Sequence, residues 1–375
     1  MKSDPWRPDS ALAMNRRSFG RVVAVGAASL GAGCSVILDP DSYGQEASAG
    51  SDASVREDSN LPPALPSGVL LLGGVLDGFN QGDSTKEVFL ARFDASGNVT
   101  GFSPQLQVLQ EARRYTARVD GDQVLAACPG RFMQSQLGAE GLVAWQGNDL
   151  PQVETNTENS DATLVFAGPW LVDIAGDNVS VLRFADAKAT WKLQPNKLLV
   201  WRRMPSVVYT NKHLYILGGA SPDQVPRLDG EYAAFDETNG TTEPFRALSS
   251  LPVSPFGCGF ATSGKHLYAV GGNRSAAVVN QPNPHDRVFA SALAGDGAPG
   301  PWREQPMLIT PLADASVWVR QNRLYVAAGR RGGGNNSSVL VGSSQISANG
   351  DLGLWDFRSQ ARLALGRFLT FAVVI

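Results

Sequence analysis

The stretch Leu214-Tyr215-Ile216-Leu217-Gly218-Gly219 decides how this chain is read, because it returns as Leu267-Tyr268-Ala269-Val270-Gly271-Gly272 and again as Leu324-Tyr325-Val326-Ala327-Ala328-Gly329. Each is an apolar run of strand length that ends in small residues. A fourth version, Val69-Leu70-Leu71-Leu72-Gly73-Gly74, keeps the glycine pair, and looser ones begin at Val124 (VLAACPG) and Leu171 (LVDIAG). The six starts are 55, 47, 43, 53 and 57 residues apart. Self-similarity at that period points to one small sheet per repeat, each leaning on its neighbours for its core.

A second landmark fixes the register. An aromatic follows a turn rich in Gly, Asp and Asn and stands about 22 residues before the next apolar strand: Phe102, Trp191, Phe245 and Trp302. The turns read as hairpin signals in DASGNVTGF, FDETNGTTEPF and AGDGAPGPW. A connection containing proline or arginine comes next, then an alternating strand such as Ala315-Ser316-Val317-Trp318-Val319, whose tight turn at Arg320-Gln321-Asn322 leads into the next Leu-Tyr strand. Strand, glycine pair, long loop, strand, Gly-rich turn, aromatic, connection and strand make a four-stranded unit. This order resembles the kelch-type blade, in the divergent form of bacterial surface proteins, over residues 67–375. The likeness is specific in the repeats that start at 214, 267 and 324 and loose at 124 and 171. It implies a β-propeller.

The two ends of the repeat region complement each other. Trp355 lies in NGDLGLW, and about 20 residues later the sequence ends in FLTFAVVI. Residues 369–375 therefore read as a leading strand with no Leu-Tyr strand after it, while Val69–Gly74 has no leading strand before it. The expected fold is all-β: a six-bladed β-propeller over 67–375, closed by the C-terminal strand pairing in the N-terminal blade, which leaves no open sheet edge. The glycine pairs are expected where the chain turns out of the inner strands near a crowded axis. They are not phosphate loops, because no GxGxxG opens a helix and the Arg330–Gly334 stretch lacks the Lys-Ser/Thr of a nucleotide loop.

Composition agrees with short strands and tight turns: 40 glycines and 23 prolines in 375 residues, 43% hydrophobic and only 18% charged. The net charge of −3 argues against a nucleic-acid partner. Cys34, Cys128 and Cys258 are far apart, with no CxxC and no metal-ligand spacing, and there are three histidines. Cys128 and Cys258 fall in apolar runs and are read as buried small side chains. No cofactor and no metal are expected.

The N-terminus reads as an address. From Met14, a plausible second start, the chain has a basic opening at Arg16, Arg17 and Arg21, a short Val/Ala stretch, and small residues ending at Cys34. The apolar stretch is too short for a permanent membrane span. Arg16-Arg17-Ser18-Phe19 resembles the twin-arginine export signature, which implies Arg16 and Arg17 as the export signal. Leu30-Gly31-Ala32-Gly33-Cys34 resembles a lipoprotein box, with Gly31 where that pattern prefers Leu, and implies lipidation at Cys34. Residues 1–34 are thus expected to be a signal peptide whose removal takes away a net +3 and leaves −6. Residues 35–66, rich in Ser, Asp, Ala and Pro, read as a disordered linker. The expected location is the cell envelope or exterior, anchored by the lipid.

The chemistry is less legible. In propellers, ligands meet the loops that follow the strands around the axis. Arg131, Arg274, Arg330 and Arg331 follow the strands at 124, 267 and 324, with Asp77, Asn80, Arg227 and His285 on neighbouring loops. Guanidinium forks suit carboxylates and phosphates, so these residues, Asp77 and His285 among them, form the candidate ligand-binding set. Kelch-type propellers also resemble the catalytic domain of galactose oxidase, which implies a copper site of His, Tyr and a Cys-Tyr pair, but His213 and His266 occupy the same repeat position and do not converge on a metal. A sialic-acid-type epimerase, also kelch-like, would need acid/base groups in the central funnel, where Glu111, Arg113 and Arg114 are the candidates. The leading expectation is a monomeric, non-catalytic binding or scaffolding module for a protein or carbohydrate. The alternative is a sugar-processing enzyme of epimerase or oxidase type.

Overall fold

The computed structural model describes residues 67–76, 85–105, 109, 115–138, 141–151, 162–186, 188–274, 283–332 and 336–375. The segments read above as signal peptide and linker lie outside these residues, as do Asp77, Asn80, Glu111, Arg113 and Arg114. The described residues form strands and turns only.

Six antiparallel sheets carry the six sequence repeats. Blade 4 shows the plan. Its strands Ser206–Thr210, His213–Leu217, Gly230–Asp236 and Thr241–Thr242 pair in sequence order, and Arg246–Leu248 pairs with the start of the third. Blade 2 begins with Thr116–Asp120, blade 3 with Thr163–Ala167, blade 5 with Gly259–Thr262 and blade 6 with Ser316–Arg320. Blade 1 is assembled from both ends of the region, in the order Phe371–Val374, Gly68–Leu72, Val88–Phe93, Val99–Pro104. The register is Val69 opposite Val374 and Leu72 opposite Phe371. A second short pairing, Val75 with Phe368 and Leu76 with Arg367, doubles the seam. The closure expected from the sequence is therefore present.

The first strands of the six blades neighbour one another in an unbroken cycle around the axis. This corrects one detail of the reading above: the Leu-Tyr strand with its glycine pair is second from the axis, and the strand before it is innermost. The reason lies in the side chains. First strands such as Ser206–Thr210 are only partly buried, whereas the Leu-Tyr strands are buried on both faces between blades.

The blades are stitched by contacts that recur at the same repeat positions. The hydroxyls of Tyr215, Tyr268 and Tyr325 donate to the carbonyls of Gly297, Gly350 and Gly97, each in the hairpin turn of the following blade. Trp170 does the equivalent with its indole N–H to Glu237 O. His213 and His266 lie directly under Gly297 and Gly350, so closely that a Cβ there would meet the imidazole ring. The aromatic landmark works in the other direction: the indoles of Trp191, Trp302 and Trp355 donate to Pro151, Ser249 and Pro306 of the preceding blade. Gln105, Gln194, Gln305 and Gln360 accept from backbone N–H groups of Leu142, Thr242, Leu352 and Val99 in the next blade. Three of these glutamines stand three residues after the landmark aromatic, an aromatic-x-x-Gln signal visible in the sequence. Cys128 and Cys258 are buried free thiols, and burial pushes both up to about 12.

One core position departs from the repeat. Asp173 occupies the slot filled by Leu71, Ala126, Ile216, Ala269 and Val326 in the other blades. It is 3% exposed, and burial pushes its carboxyl up to about 7.

Candidate functional site: the face of the glycine-pair loops

Two kinds of connection meet on one face of the ring: the loops leaving each second strand after the glycine pair, and the segments entering each innermost strand. They are zipped together by bridges between Arg203 and Ala220, Phe256 and Asn273, and Ala313 and Arg330, and by the Val75–Phe368 pairing in blade 1. One step on, Met204 (φ 53°), Gly257 (φ 65°), Asp314 (φ 53°) and Leu369 (φ 54°) take the left-handed conformation. The Asp314 N–H donates to Gly257 O at 2.6 Å and the Leu369 N–H to Asp314 O at 2.9 Å, so the backbone is bonded from blade to blade. Three non-glycine residues held in this region cost on the order of 1–3 kcal/mol each, strain that concentrates where a backbone must be placed for a purpose.

Three arginines are sunk into this face. Arg202, fully buried, gives Nε and Nη2 to Glu231 at 3.0 and 2.9 Å, Nη2 also to Asp229 at 2.7 Å, and Nη1 to the carbonyls of Gly218 and Asp229. The N–H groups of Leu199 and Val200 complete the Glu231 carboxylate. Arg330 pairs with Asp314 at 2.8 Å and stacks over Phe368 with 4.5 Å to the ring centroid. Arg367, 1% exposed, reaches Glu87 through Nη2 at 3.2 Å and lies 4.3 Å over the Phe89 ring. Burial lowers its pKa, while Glu87 opposes that shift. Arg202–Glu231 and Arg330–Asp314 are withdrawn from water on both sides, whereas Arg367 meets a carboxylate that is half exposed and screened by solvent.

Of the residues expected from the sequence, Asp77 and Asn80 lie outside the described residues, and the others come to this face without forming one cluster. Arg131, the first residue of the third strand of blade 2, pairs with the exposed Asp149 at 2.6 Å. That blade lies across the ring from blade 5, which carries Arg274 and His285. Arg274 is exposed, with its backbone N–H bonded to Asn283 O. His285 is 1% exposed; its Nε2 lies 2.8 Å from Ser254 O and its Nδ1 accepts from the Arg287 N–H. Burial lowers its pKa, which keeps a neutral ring with both nitrogens engaged in structure. Arg227 donates through Nε to Trp201 O. Arg330 is committed to Asp314, and its neighbour Arg331 is exposed. Arg331 borders an open cleft of about 530 Å³ between blades 5 and 6, lined also by Thr310, Pro311, Gly332, Asn336 and Ser337. Among the described residues no group of three His, Cys, Asp or Glu side chains could hold a metal ion.

Sequence reasoning missed Arg202, Arg367, Asp314, Glu87 and Glu231. The available signal is alignment of the third strands: Leu217 is opposite Gly230 and Leu72 opposite Val88, which makes Glu231 the counterpart of Phe89 and Asp229 the counterpart of Glu87.

No family model matches the sequence, and no curated protein matches it. Among solved structures, that of YjhT superposes with a TM-score of 0.50 at 13% identity, covering 69% of this chain and 86% of that one. YjhT is a propeller. At that identity the likeness establishes the six-bladed β-propeller fold and stops there.

Proposed function

We propose that this chain is a kelch-like propeller displayed in the cell envelope, acting as a binding or scaffolding module for a protein or glycan through the face of the glycine-pair loops. The observation that carries the reading is the preparation of that face. Arg330 is held in place by Asp314 and the Phe368 ring, and the exposed Arg331 beside it borders a cleft whose other polar groups are hydroxyls and an amide. An exposed guanidinium beside neutral hydrogen-bonding groups suits a hydroxyl-rich or acidic ligand. In this reading Arg16 and Arg17 direct export, Cys34 carries the lipid, and residues 35–66 space the propeller from the membrane.

The test is a glycan and peptide array probed with the full chain, repeated with Arg331→Ala and Arg274→Ala. Capture that weakens at least tenfold in Arg331→Ala supports the reading. An array with no hits, or turnover of a captured sugar, removes it. Lipidation is read separately by metabolic labelling with an alkynyl fatty acid: label lost in Cys34→Ala supports the anchor, and label kept refutes it. Secretion unchanged in the Arg16→Lys/Arg17→Lys pair would count against the export signal.

A further inference from the structure

The repeat supplies an internal standard for Arg367. Arg202 and Arg367 stand at the same repeat position, each just before the residue that bridges to its own blade's glycine-pair loop. In blade 4 every part of the guanidinium is satisfied: Nε and Nη2 by Glu231, Nη2 again by Asp229, Nη1 by two carbonyls. In blade 1 the flanking acid is kept as Glu87, but the position of Glu231 is taken by Phe89. The Nε and Nη1 of Arg367 are consequently buried with no hydrogen-bond partner. An unsatisfied buried donor costs about 1–3 kcal/mol, and more on a charged group, so an arrangement with two of them on one guanidinium lacks something.

We infer that Arg367 is the floor of an anion site that takes a small monocarboxylate, whose oxygen accepts from Nε, as Glu231 does in blade 4, once the Phe89 ring turns off the guanidinium. Charge fixes the class. Arg202 faces two carboxylates, whereas Arg367 faces one, so a single added negative charge reproduces the blade 4 balance. A dianion would exceed it. Size follows from burial: Phe89 covers one face of the guanidinium, and Glu87, with half its side chain exposed, marks the side open to solvent. The ligand is of acetate or formate size, or the carboxylate end of something longer that leaves past Glu87.

The experiment uses the full chain and sodium acetate. At constant ionic strength, with sodium chloride or sodium sulfate as the reference salts, acetate at ten times its Kd is expected to raise the thermal midpoint by about 2 °C. Phe89→Glu, which installs the missing carboxylate, is expected to abolish that response. Saturation-transfer NMR on the acetate methyl protons gives a second readout that needs only a mild variant: Glu87→Gln removes the neighbouring negative charge and is expected to tighten acetate binding severalfold. No midpoint difference between acetate and chloride together with no transfer to acetate overturns the site. So does an acetate response that survives in Phe89→Glu, or binding that is unchanged or weaker in Glu87→Gln.

Discussion

Blade 4 and blade 1 handle the same problem with different means. Both sink an arginine into the seam beside the preceding blade, and both keep an acid just before the third strand. In blade 4 the third strand itself supplies a second carboxylate 29 residues after the arginine, and the whole network comes from one continuous stretch. In blade 1 the arginine and its acid are 280 residues apart, and an aromatic ring stands where the second carboxylate would be. The difference teaches that a buried charge in this fold is tolerated through one side chain on a neighbouring strand. A single exchange, Glu231 for Phe89, converts a closed network into an open one.

That contrast can be broken from either side, and the expected effects fall in order. Removing residues 371–375 takes the innermost strand from blade 1 and leaves the closing pairs with Val69–Leu72 unmade. We expect no cooperative thermal transition by circular dichroism, whereas a chain with those residues melts as one unit. Next comes Glu231→Ala, which strands a fully buried Arg202 and also frees the Leu199 and Val200 amides. Stability should fall by about 3–5 kcal/mol in urea titrations, the scale for removing one partner of a buried pair.

Asp173 extends the comparison to a buried carboxyl that takes part in no ion pair among the described residues. Its carboxyl titrates near 7 because of burial, well above the ordinary 3.8, so the native state binds its proton more tightly than the unfolded chain. The stability this group allows is complete below about pH 4 and is lost as pH rises through 7. Asp173→Val should therefore gain roughly 4 kcal/mol at pH 8 relative to its effect at pH 4. A denaturation midpoint that shifts equally at both pH values would show that Asp173 does not titrate this way. Tyr325→Phe removes the hydroxyl that ties blade 6 to Gly97 of blade 1, for about 1 kcal/mol, and the same change at Tyr215 should match it. The smallest effect is Glu87→Gln. Its half-exposed carboxylate is well screened, so the loss should stay below about 1 kcal/mol.

The fold was legible because its signals are local and repeated. The Leu-Tyr strands, the Gly-rich turns and the landmark aromatics each report on their own blade, and the leftover strand at 369–375 pointed to the gap before Val69. The site was less legible because burial is not local. In sequence, nothing beside Trp201-Arg202-Arg203 marks the guanidinium of Arg202 as buried. What buries Arg202 is Glu231, reached only after the chain has passed through the second strand and the loop that follows it. His285 looked like a ligand-binding ring because it follows the glycine pair, yet Ser254 and Arg287 claim both its nitrogens from other segments. Arg330 and Arg331, adjacent in sequence, divide into a buried strut and an exposed contact because only the first reaches Asp314.

The seam of blade 1 also sets an order of events. Val69 must find Val374, a separation of 305 residues, whereas its hairpin partner Ala91 is only 22 away. The difference in loop-closure entropy is about 2 kcal/mol by the logarithmic rule, and long-range pairings form late. Blades 2 to 6 can each fold on their own hairpins and stack in sequence, but blade 1 has to wait until both of its halves are brought together by that stack. The same strand is then the first to leave when the ring loosens. A strand of four residues, Phe371–Val374, and the Val75–Phe368 and Leu76–Arg367 pairs beside it are thus what hold the ring closed at its seam.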